Sequence, residues 1–225
     1  MALVEYIRQA PTGSTAGTGS PIVAYSPPFA GFSIDSPQIT FSAGILALSI
    51  VAVTATDVLT ISNPVSGVAV RIMRIGFGGV ASSGLHATVG ILKRTTLNTG
   101  GTSTTLAATP MDTNDPSIPP ASGAISTANA VATAYTANPT TLGTLQGSLI
   151  RATRIFLPPN VANSTVGDAE IVYGEGGGQA WKNIVLRLNE SMCINLNSQS
   201  LAGVLANIWI TWTEEVDQGS YFSGL

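Results

Sequence analysis

A run of alternating apolar and polar residues near the C-terminus constrains the fold of this chain more than any other feature. Successive side chains of a β-strand point to opposite faces, so a period of two predicts a strand with one buried face. The apolar phase of this run consists of Val204, Ala206, Ile208, Ile210 and Trp212. We predict that Glu214 and Glu215 end the strand and that the chain is a β-protein.

Two shorter alternating runs precede this strand. Apolar residues recur at every second position over residues 184–188 and again over residues 192–196, with Asn189, Glu190 and Ser191 between them. Two such runs joined by a short polar connection are typical of a β-hairpin. We therefore predict that these two segments pair with each other.

A similar pattern predicts strands over residues 68–77 and 85–92, paired as a hairpin across a turn at residues 81–84. Within the first of them the apolar phase changes between Ile72 and Met73, which indicates a β-bulge and leaves Arg71 and Arg74 on one solvent face. Residues 150–155 repeat this pattern with the same change of phase, which indicates either two pseudo-equivalent strands in facing sheets or a chance similarity between strands.

The remaining segments are less regular. Residues 45–53 are apolar in both phases, which predicts a strand covered on one face by the core and on the other by the arm or a second subunit. Residues 95–148 are rich in Thr, Ala, Gly and Pro, and we interpret them as long loops with one or two weak strands. One of these strands is predicted at residues 127–136, where alanine occupies every second position.

Residues 1–38 hold only three charged residues and five prolines, so a long helix is excluded. Hydrophobic residues are nevertheless scattered through this segment, and we predict an extended N-terminal arm that lies on another surface. The alternative is a flexible tail. The interface candidates are Tyr6, Ile7, Tyr25, Phe29 and Phe32 in the arm and Trp209 in the last strand.

These segments together predict an all-β chain in which residues 39–225 form one antiparallel β-sandwich with long loops around residues 95–148. With eight to ten strands and short turns, a jelly-roll-like topology is the leading arrangement.

The small number of charged residues and the net charge narrow the classes of partner that this chain could bind. Charged residues make up 9% of the chain, against roughly 25% in an ordinary soluble domain. Few charges favour self-association, so we predict a homo-oligomer. The net charge of −3 and the absence of a basic stripe argue against a nucleic-acid partner. No membrane partner is expected, because the most apolar stretch, residues 43–55, is too short to span a bilayer and no secretory signal is visible.

The sequence offers little for catalysis, cofactors or metals, and we predict none of the three. His86 and Cys193 are the single residues of their types, so neither a histidine site nor a cysteine-based zinc site is expected. Asp168 and Glu170 fall on one face of a strand and could pair for glycoside hydrolysis, but solvated edge charges explain them as well.

Two further groups of residues leave alternatives open. Asp112, Asn114 and Asp115 offer oxygen ligands for calcium, or a turn with a side-chain hydrogen bond. Trp209 lies in the polar phase of its strand, where an indole could pack under the arm, join a protein interface or stack against a sugar.

The C-terminal segments NIVLRLNESM (residues 183–192) and IWITWTEE (residues 208–215) resemble the endings of many virion structural proteins of tailed bacteriophages. The resemblance implies a β-sandwich that sits on the capsid as a cement or decoration protein, often as a trimer, or that builds part of the tail. We predict a capsid cement or decoration protein that contacts the major capsid protein or other virion proteins. The resemblance also implies a place in the virion after synthesis in the host cytoplasm. The alternative function is a tail-fibre or receptor-binding module that grips cell-surface glycans with residues 95–148 and Trp209.

Overall fold

The computed structural model describes residues 39–50, 56–114, 127–161, 167–173, 183–196 and 203–217. These residues belong to one compact unit. The predicted arm, residues 1–38, lies outside them. Every regular element of the described chain is a β-strand, which confirms the all-β prediction. The strands are β1 (Ile39–Ile50), β2 (Asp57–Ser62), β3 (Val68–Ala81), β4 (Leu85–Arg94), β5 (Ser103–Leu106), β6 (Thr109–Pro110), β7 (Val131–Tyr135), β8 (Arg151–Leu157), β9 (Gly167–Val172), β10 (Ile184–Leu186), β11 (Ser191–Asn195) and β12 (Val204–Val216).

The strands form two antiparallel sheets, and the predicted β-sandwich is confirmed. Sheet A has the order β10-β3-β12-β1-β6, with β9 also paired to β3. Sheet B has the order β5-β7-β2-β11-β4-β8. In the described part of the chain there is no helix of the length and apolar character needed to cross a membrane.

The apolar phases of both sheets meet in one core. All five apolar residues of the β12 run are buried, as the alternation predicts. Trp212 is fully buried and stacks on Phe41 of β1, with ring centroids 5.8 Å apart. Burying a side chain of this size contributes about 1.5–3 kcal/mol, so these strands anchor the sandwich.

The predicted bulge in β3 is confirmed. The register with β12 moves from Arg74 opposite Thr211 to Ile72 opposite Trp212, which leaves Met73 as the extra residue. The similar segment at residues 150–155 forms β8 in sheet B, whereas β3 is in sheet A, so the two strands lie in different sheets, as the first of the two interpretations predicted. β8 pairs with β4 in unbroken register, so the change of phase there is not a bulge. The pattern there reflects a strand that starts at Arg151, after an Ile150 that is exposed at the surface.

The predicted hairpin of residues 184–196 is wrong, because β10 pairs in sheet A and β11 in sheet B. The chain crosses from one sheet to the other through a turn in which Asn189 has a φ of 62°. The amide of Asn189 donates to the carbonyl of Asn63 at 2.7 Å, and the amide of Asn63 donates to the carbonyl of Glu190 at 3.0 Å. Both apolar runs therefore reach the same core from opposite sides.

The predicted pairing of β3 with β4 fails for the same reason, since β3 lies in sheet A and β4 in sheet B. Alternation reports that one face of a strand is buried, and it carries no information on which strand is the neighbour.

Leu46 lies in the segment predicted to be covered on both faces, and its side chain is 80% exposed in the described chain. The predicted cover of this outer face, the arm or a second subunit, lies outside the described residues, so the double coverage stays a prediction. A bulge between Ile45 and Leu48 interrupts the pairing of β1 with β12. Ala47 takes a φ of 53°, and its amide donates to Oδ1 of Asn207 at 2.9 Å. This bulge turns Leu46 out of the apolar phase and onto the outer face of sheet A.

The segment between β4 and β8 is more ordered than predicted. β5 and β7 extend sheet B, and β6 pairs with β1 in sheet A. The predicted strand within residues 127–136 is confirmed as β7, with Ala132 and Ala134 buried. Residues 144–150 then run along β4, where Gln146 donates to the carbonyl of Lys93 and Ile150 to that of Ile91.

Candidate functional site

The outer face of sheet A carries a half-exposed tryptophan between two glycines. Trp209 of β12 lies opposite Gly44 of β1 and Gly76 of β3. A Cβ atom at Gly76 would be 2.1 Å from Cε2 and Nε1 of the indole, and one at Gly44 would be 3.0 Å from Cβ of Trp209. The two glycines therefore let the indole lie flat across β3, and Trp209 as a whole residue remains 37% exposed.

Two rows of paired residues cross sheet A on this face. The first row runs from Gly44 through Trp209 and Gly76 to Glu170 of β9. The second row contains Asn207, Gly78 and Asp168, with the exposed Leu46 of the β1 bulge at its end. Because directly paired residues point to the same face of a sheet, the indole and the two carboxylates share one surface.

These rows enclose a groove of about 370 Å³. Its lining is mixed in polarity, with an aromatic ring, an amide and two carboxylates around a floor of small residues. The described lining residues are Leu46, Phe77, Gly78, Asp168, Ala169, Glu170, Asn207 and Trp209. Trp209 both lines this groove and is partly exposed, so its indole offers an aromatic surface on which a flat ligand could stack.

Asp168 and Glu170 lie on one face of β9, as the sequence analysis predicted. Both are exposed, whereas Ile171 is buried in the core. Glu170 faces Arg74 of β3 at 3.6 Å, which is a surface ion pair worth about 0–1 kcal/mol. Carboxylates accept hydrogen bonds and do not donate them when ionised, so this wall of the groove suits ligands that carry hydroxyl or amino groups.

The other sequence candidates lie elsewhere. His86 is exposed on the outer face of sheet B, where its ring packs against Phe156 with centroids 5.3 Å apart. It is therefore on the opposite side of the sandwich from Asp168 and Glu170. Among the described residues, no group of three His, Cys, Asp or Glu side chains could hold a metal ion.

The possible calcium ligands form a turn in the described residues. The amide of Asn114 donates to Oδ1 of Asp112 at 2.8 Å, as in a turn with a side-chain hydrogen bond. The third possible ligand, Asp115, lies outside the described part of the chain. Cys193 is fully buried, and burial together with the charge of Asp57 raises the pKa of its thiol. A buried, protonated thiol is a packing residue rather than a nucleophile.

Sequence reasoning missed a buried carboxylate that joins the two sheets. Glu214 was predicted to end the last strand, but β12 continues to Val216 and Glu214 is only 1% exposed. Its carboxylate accepts from the amides of Asn129 and Ala130, from Nδ2 of Asn129 and from Nε1 of Trp212, at 2.9–3.1 Å. The signal was present in the sequence, because Glu214 continues the even-numbered, buried phase of β12.

A second buried carboxylate, Asp57, was also missed. Arg94 donates to it from Nε at 2.7 Å and from Nη2 at 3.1 Å, and Asn98 and Asn195 each donate at 2.8 Å. Burial alone raises the pKa of Asp57, but these hydrogen bonds and the charge of Arg94 outweigh it and hold the pKa below its ordinary value. Arg94 also donates to the carbonyl of Gly143 at 2.7 Å, so the ion pair attaches the loop at Gly143 to sheet B.

An exposed apolar segment at the β8 edge of sheet B was not predicted either. Five large hydrophobic side chains within residues 142–157 are between 41% and 51% exposed. They are Leu142, Leu145, Leu149, Ile150 and Phe156. We call residues 142–157 the edge segment. Scattered exposed hydrophobic residues are normal, but several along one segment are typical of interaction surfaces.

The predicted interface residues of the arm, Tyr6, Ile7, Tyr25, Phe29 and Phe32, lie outside the described residues. Of the six interface candidates only Trp209 is described, and its predicted exposure is observed. The geometry thus defines a β-sandwich with a groove on one sheet and an apolar edge on the other. Comparisons with protein-family models, curated proteins and solved structures find no match for this chain.

Proposed function

We propose that this chain is a structural protein of a phage particle, a capsid cement or decoration protein that self-associates and stabilises the head. The observation that carries the proposal is the order of eight strands in the two sheets. In sheet A, β1, β12, β3 and β9 are neighbours in that order, and in sheet B the order is β2, β11, β4 and β8.

This strand order supports a jelly roll. The first strand pairs with the last, the second with β11, and the chain crosses between the sheets from β1 to β2, from β2 to β3 and from β3 to β4. The strands β5, β6 and β7 are then an insertion between the fourth and fifth strands of the roll. Jelly rolls are typical of viral capsid domains and of lectins, although a fold alone does not fix a function.

The surface supports self-association. Only 9% of the residues are charged, so there is little repulsion between copies. The edge segment exposes five large hydrophobic side chains, and a contact between copies would remove them from water. We propose that the edge segment forms the contact between copies and that the oligomer is a trimer, the state that the resemblance to phage proteins favours.

In the proposed mechanism, the N-terminal arm of each copy lies across a neighbouring subunit or the major capsid protein. Each contact is weak, but symmetric copies hold one another at high effective concentration. Many such contacts would resist internal pressure without one strong bond. No catalytic step belongs to this function.

The test is whether the arm is needed for the chain to join particles. Full-length protein with Tyr25, Phe29 and Phe32 all changed to alanine is compared with a control in which Ser14, Ser20 and Ser26 are changed to alanine. Each is added to purified particles that lack the chain, and bound protein is measured after sedimentation. We expect the control to bind and the aromatic variant to fail, with equal circular dichroism. Equal binding by both variants, or no binding by the unchanged chain, contradicts the proposal.

A second candidate function is a tail-fibre or receptor-binding module that recognises cell-surface glycans. It is favoured by the groove beside Trp209, which combines an exposed aromatic ring with hydrogen-bonding groups. No described lining residue of this groove comes from residues 95–148, so in this candidate function Trp209 would act with β9 instead. Binding of the purified chain to an immobilised glycan array tests the function, and no binding to any glycan would contradict it.

A further inference from the structure

We propose that the groove beside Trp209 binds a neutral saccharide and rejects anionic ones. The proposal rests on the second candidate function, glycan recognition, and adds the site, the role of each lining residue and the class of sugar.

The platform for the sugar ring is built in advance. The indole of Trp209 lies against Gly76, where any side chain would meet the ring at 2.1 Å. Gly44 leaves room on the other side of Trp209. The ring is thus held flat by the two neighbouring strands, and its exposed face can stack on the apolar C–H face of a pyranose. A preformed surface of this kind spares the ordering cost that a mobile side chain would add on binding.

The opposite wall of the groove matches the hydroxyl groups of a sugar. Asp168 and Glu170 are both exposed on β9, and their ionised oxygens accept hydrogen bonds from hydroxyl groups. Asn207 adds a donor, because its Oδ1 is already engaged by the amide of Ala47 at 2.9 Å and its Nδ2 is the remaining end. A ligand between the two walls would therefore meet an aromatic face, acceptors and one donor.

Charge decides between neutral and anionic sugars. Two carboxylates line the groove, and the guanidinium of Arg74 is 3.6 Å from Glu170. The wall therefore has a net negative charge, so a sugar carboxylate or sulfate placed against it would be repelled. The volume of about 370 Å³ lies in the range of small-ligand sites, roughly 300–1,000 Å³.

The experiment uses the full-length chain and an array of immobilised neutral, sialylated and sulfated oligosaccharides. Neutral oligosaccharides that bind are then titrated in solution, with tryptophan fluorescence and calorimetry as readouts. We expect Trp209→Ala to weaken binding at least about tenfold, which corresponds to about 1.4 kcal/mol. Gly76→Ala should weaken binding comparably, because it displaces the indole while keeping it in the protein.

Matched controls separate the groove from general effects on folding. Leu188→Ala removes an exposed hydrophobic side chain outside the groove, and Asp112→Asn removes an exposed carboxylate outside it. Both should bind as the unchanged chain does. Asp168→Asn combined with Glu170→Gln should weaken neutral binding and reduce the discrimination against sialylated probes.

The outcomes distinguish the two proposals. If no oligosaccharide binds, both the glycan function and this site are contradicted. If oligosaccharides bind but Trp209→Ala and Gly76→Ala leave the affinity unchanged, glycan recognition stands and the groove is overturned as its site. If sialylated or sulfated probes bind as well as neutral ones, the proposed selectivity is overturned.

Discussion

Two buried carboxylates connect parts of the chain that are far apart in sequence. Glu214 on β12 of sheet A holds Asn129 and Ala130, which lead into β7 of sheet B. Asp57 on β2 holds Arg94, Asn98 and Asn195. Both carboxylates accept hydrogen bonds from several buried donors. They therefore stabilise the packing of the sandwich and are not reactive groups.

The first prediction concerns Glu214. Glu214→Gln replaces an oxygen that accepts from amides with an NH₂ group that cannot accept, so buried donors lose their partner. We expect the free energy of unfolding to fall by about 2–3 kcal/mol. The adjacent Glu215→Gln is the control, because Glu215 pairs with Arg71 at the surface and its loss should cost at most about 1 kcal/mol. Urea denaturation measures both, and equal losses would contradict the assigned role of Glu214.

The second prediction concerns acid stability. The pKa of Asp57 in the folded chain is below its ordinary value, and the unfolded value is about 3.9. The ionised carboxylate therefore contributes stability above about pH 4, and this contribution is lost as the pH falls through the lower, folded pKa.

Asp57→Asn should therefore be less stable at neutral pH by about 3 kcal/mol and lose less of its remaining stability on acidification. Urea unfolding at about pH 6 and about pH 3 measures the difference between the two conditions. The control Asp112→Asn, at an exposed turn, should keep the pH dependence of the unchanged chain. An undiminished pH dependence in Asp57→Asn would show that another group is responsible.

The burial or exposure of a side chain could be predicted from the sequence where the alternation within one strand determines it. The exposure of Trp209 and the burial of Ile208 and Ile210 follow from alternation within β12. Glu214 lies in the same buried phase, but its charge suggested a strand end. The donors that make its burial possible, Asn129 and Ala130, are 84–85 positions away, so local pattern could not reveal them.

At the scale of elements, the sequence predicted most described strands and the β3 bulge but misassigned their neighbours. The runs at β10 and β11 were each identified as strands, and their predicted pairing was wrong because the turn at Asn189 carries the chain between sheets. A hairpin and a crossing between sheets show the same alternation, since both bury one face. The groove beside Trp209 was unpredictable for this reason, because it depends on the registers that bring Gly76 and Glu170 into one row.

The third prediction tests whether the insertion between β4 and β8 belongs to the sandwich. Ala134 of β7 is fully buried, and its cross-strand partner Thr104 of β5 is exposed. Ala134→Asp should lower the free energy of unfolding by more than about 3 kcal/mol, because it buries a charge without a partner. Thr104→Asp is the control and should change it by less than about 1 kcal/mol. Thermal unfolding followed by circular dichroism measures both, and a tolerated Ala134→Asp would mean that β7 does not pack in the core.

At the scale of the whole molecule, two regions of the sandwich surface differ in chemical character. The outer face of sheet A carries the groove with its aromatic ring and carboxylates. The β8 edge of sheet B carries the exposed apolar side chains of the edge segment. A protein that assembles through one region and binds a ligand through another could keep both functions on one scaffold, which fits either a decoration protein or a receptor-binding module.

Self-association is the central claim, and it is tested most directly by the molar mass of the full-length chain in solution. Light scattering coupled to size-exclusion chromatography is run over a series of concentrations for the unchanged chain and for two variants. Leu149→Asp combined with Phe156→Asp places charges in the edge segment, and Leu188→Asp places one on an exposed residue outside it. We predict a trimer for the unchanged chain and for Leu188→Asp, and monomers for the edge variant. A monomer at every concentration of the unchanged chain would contradict the account.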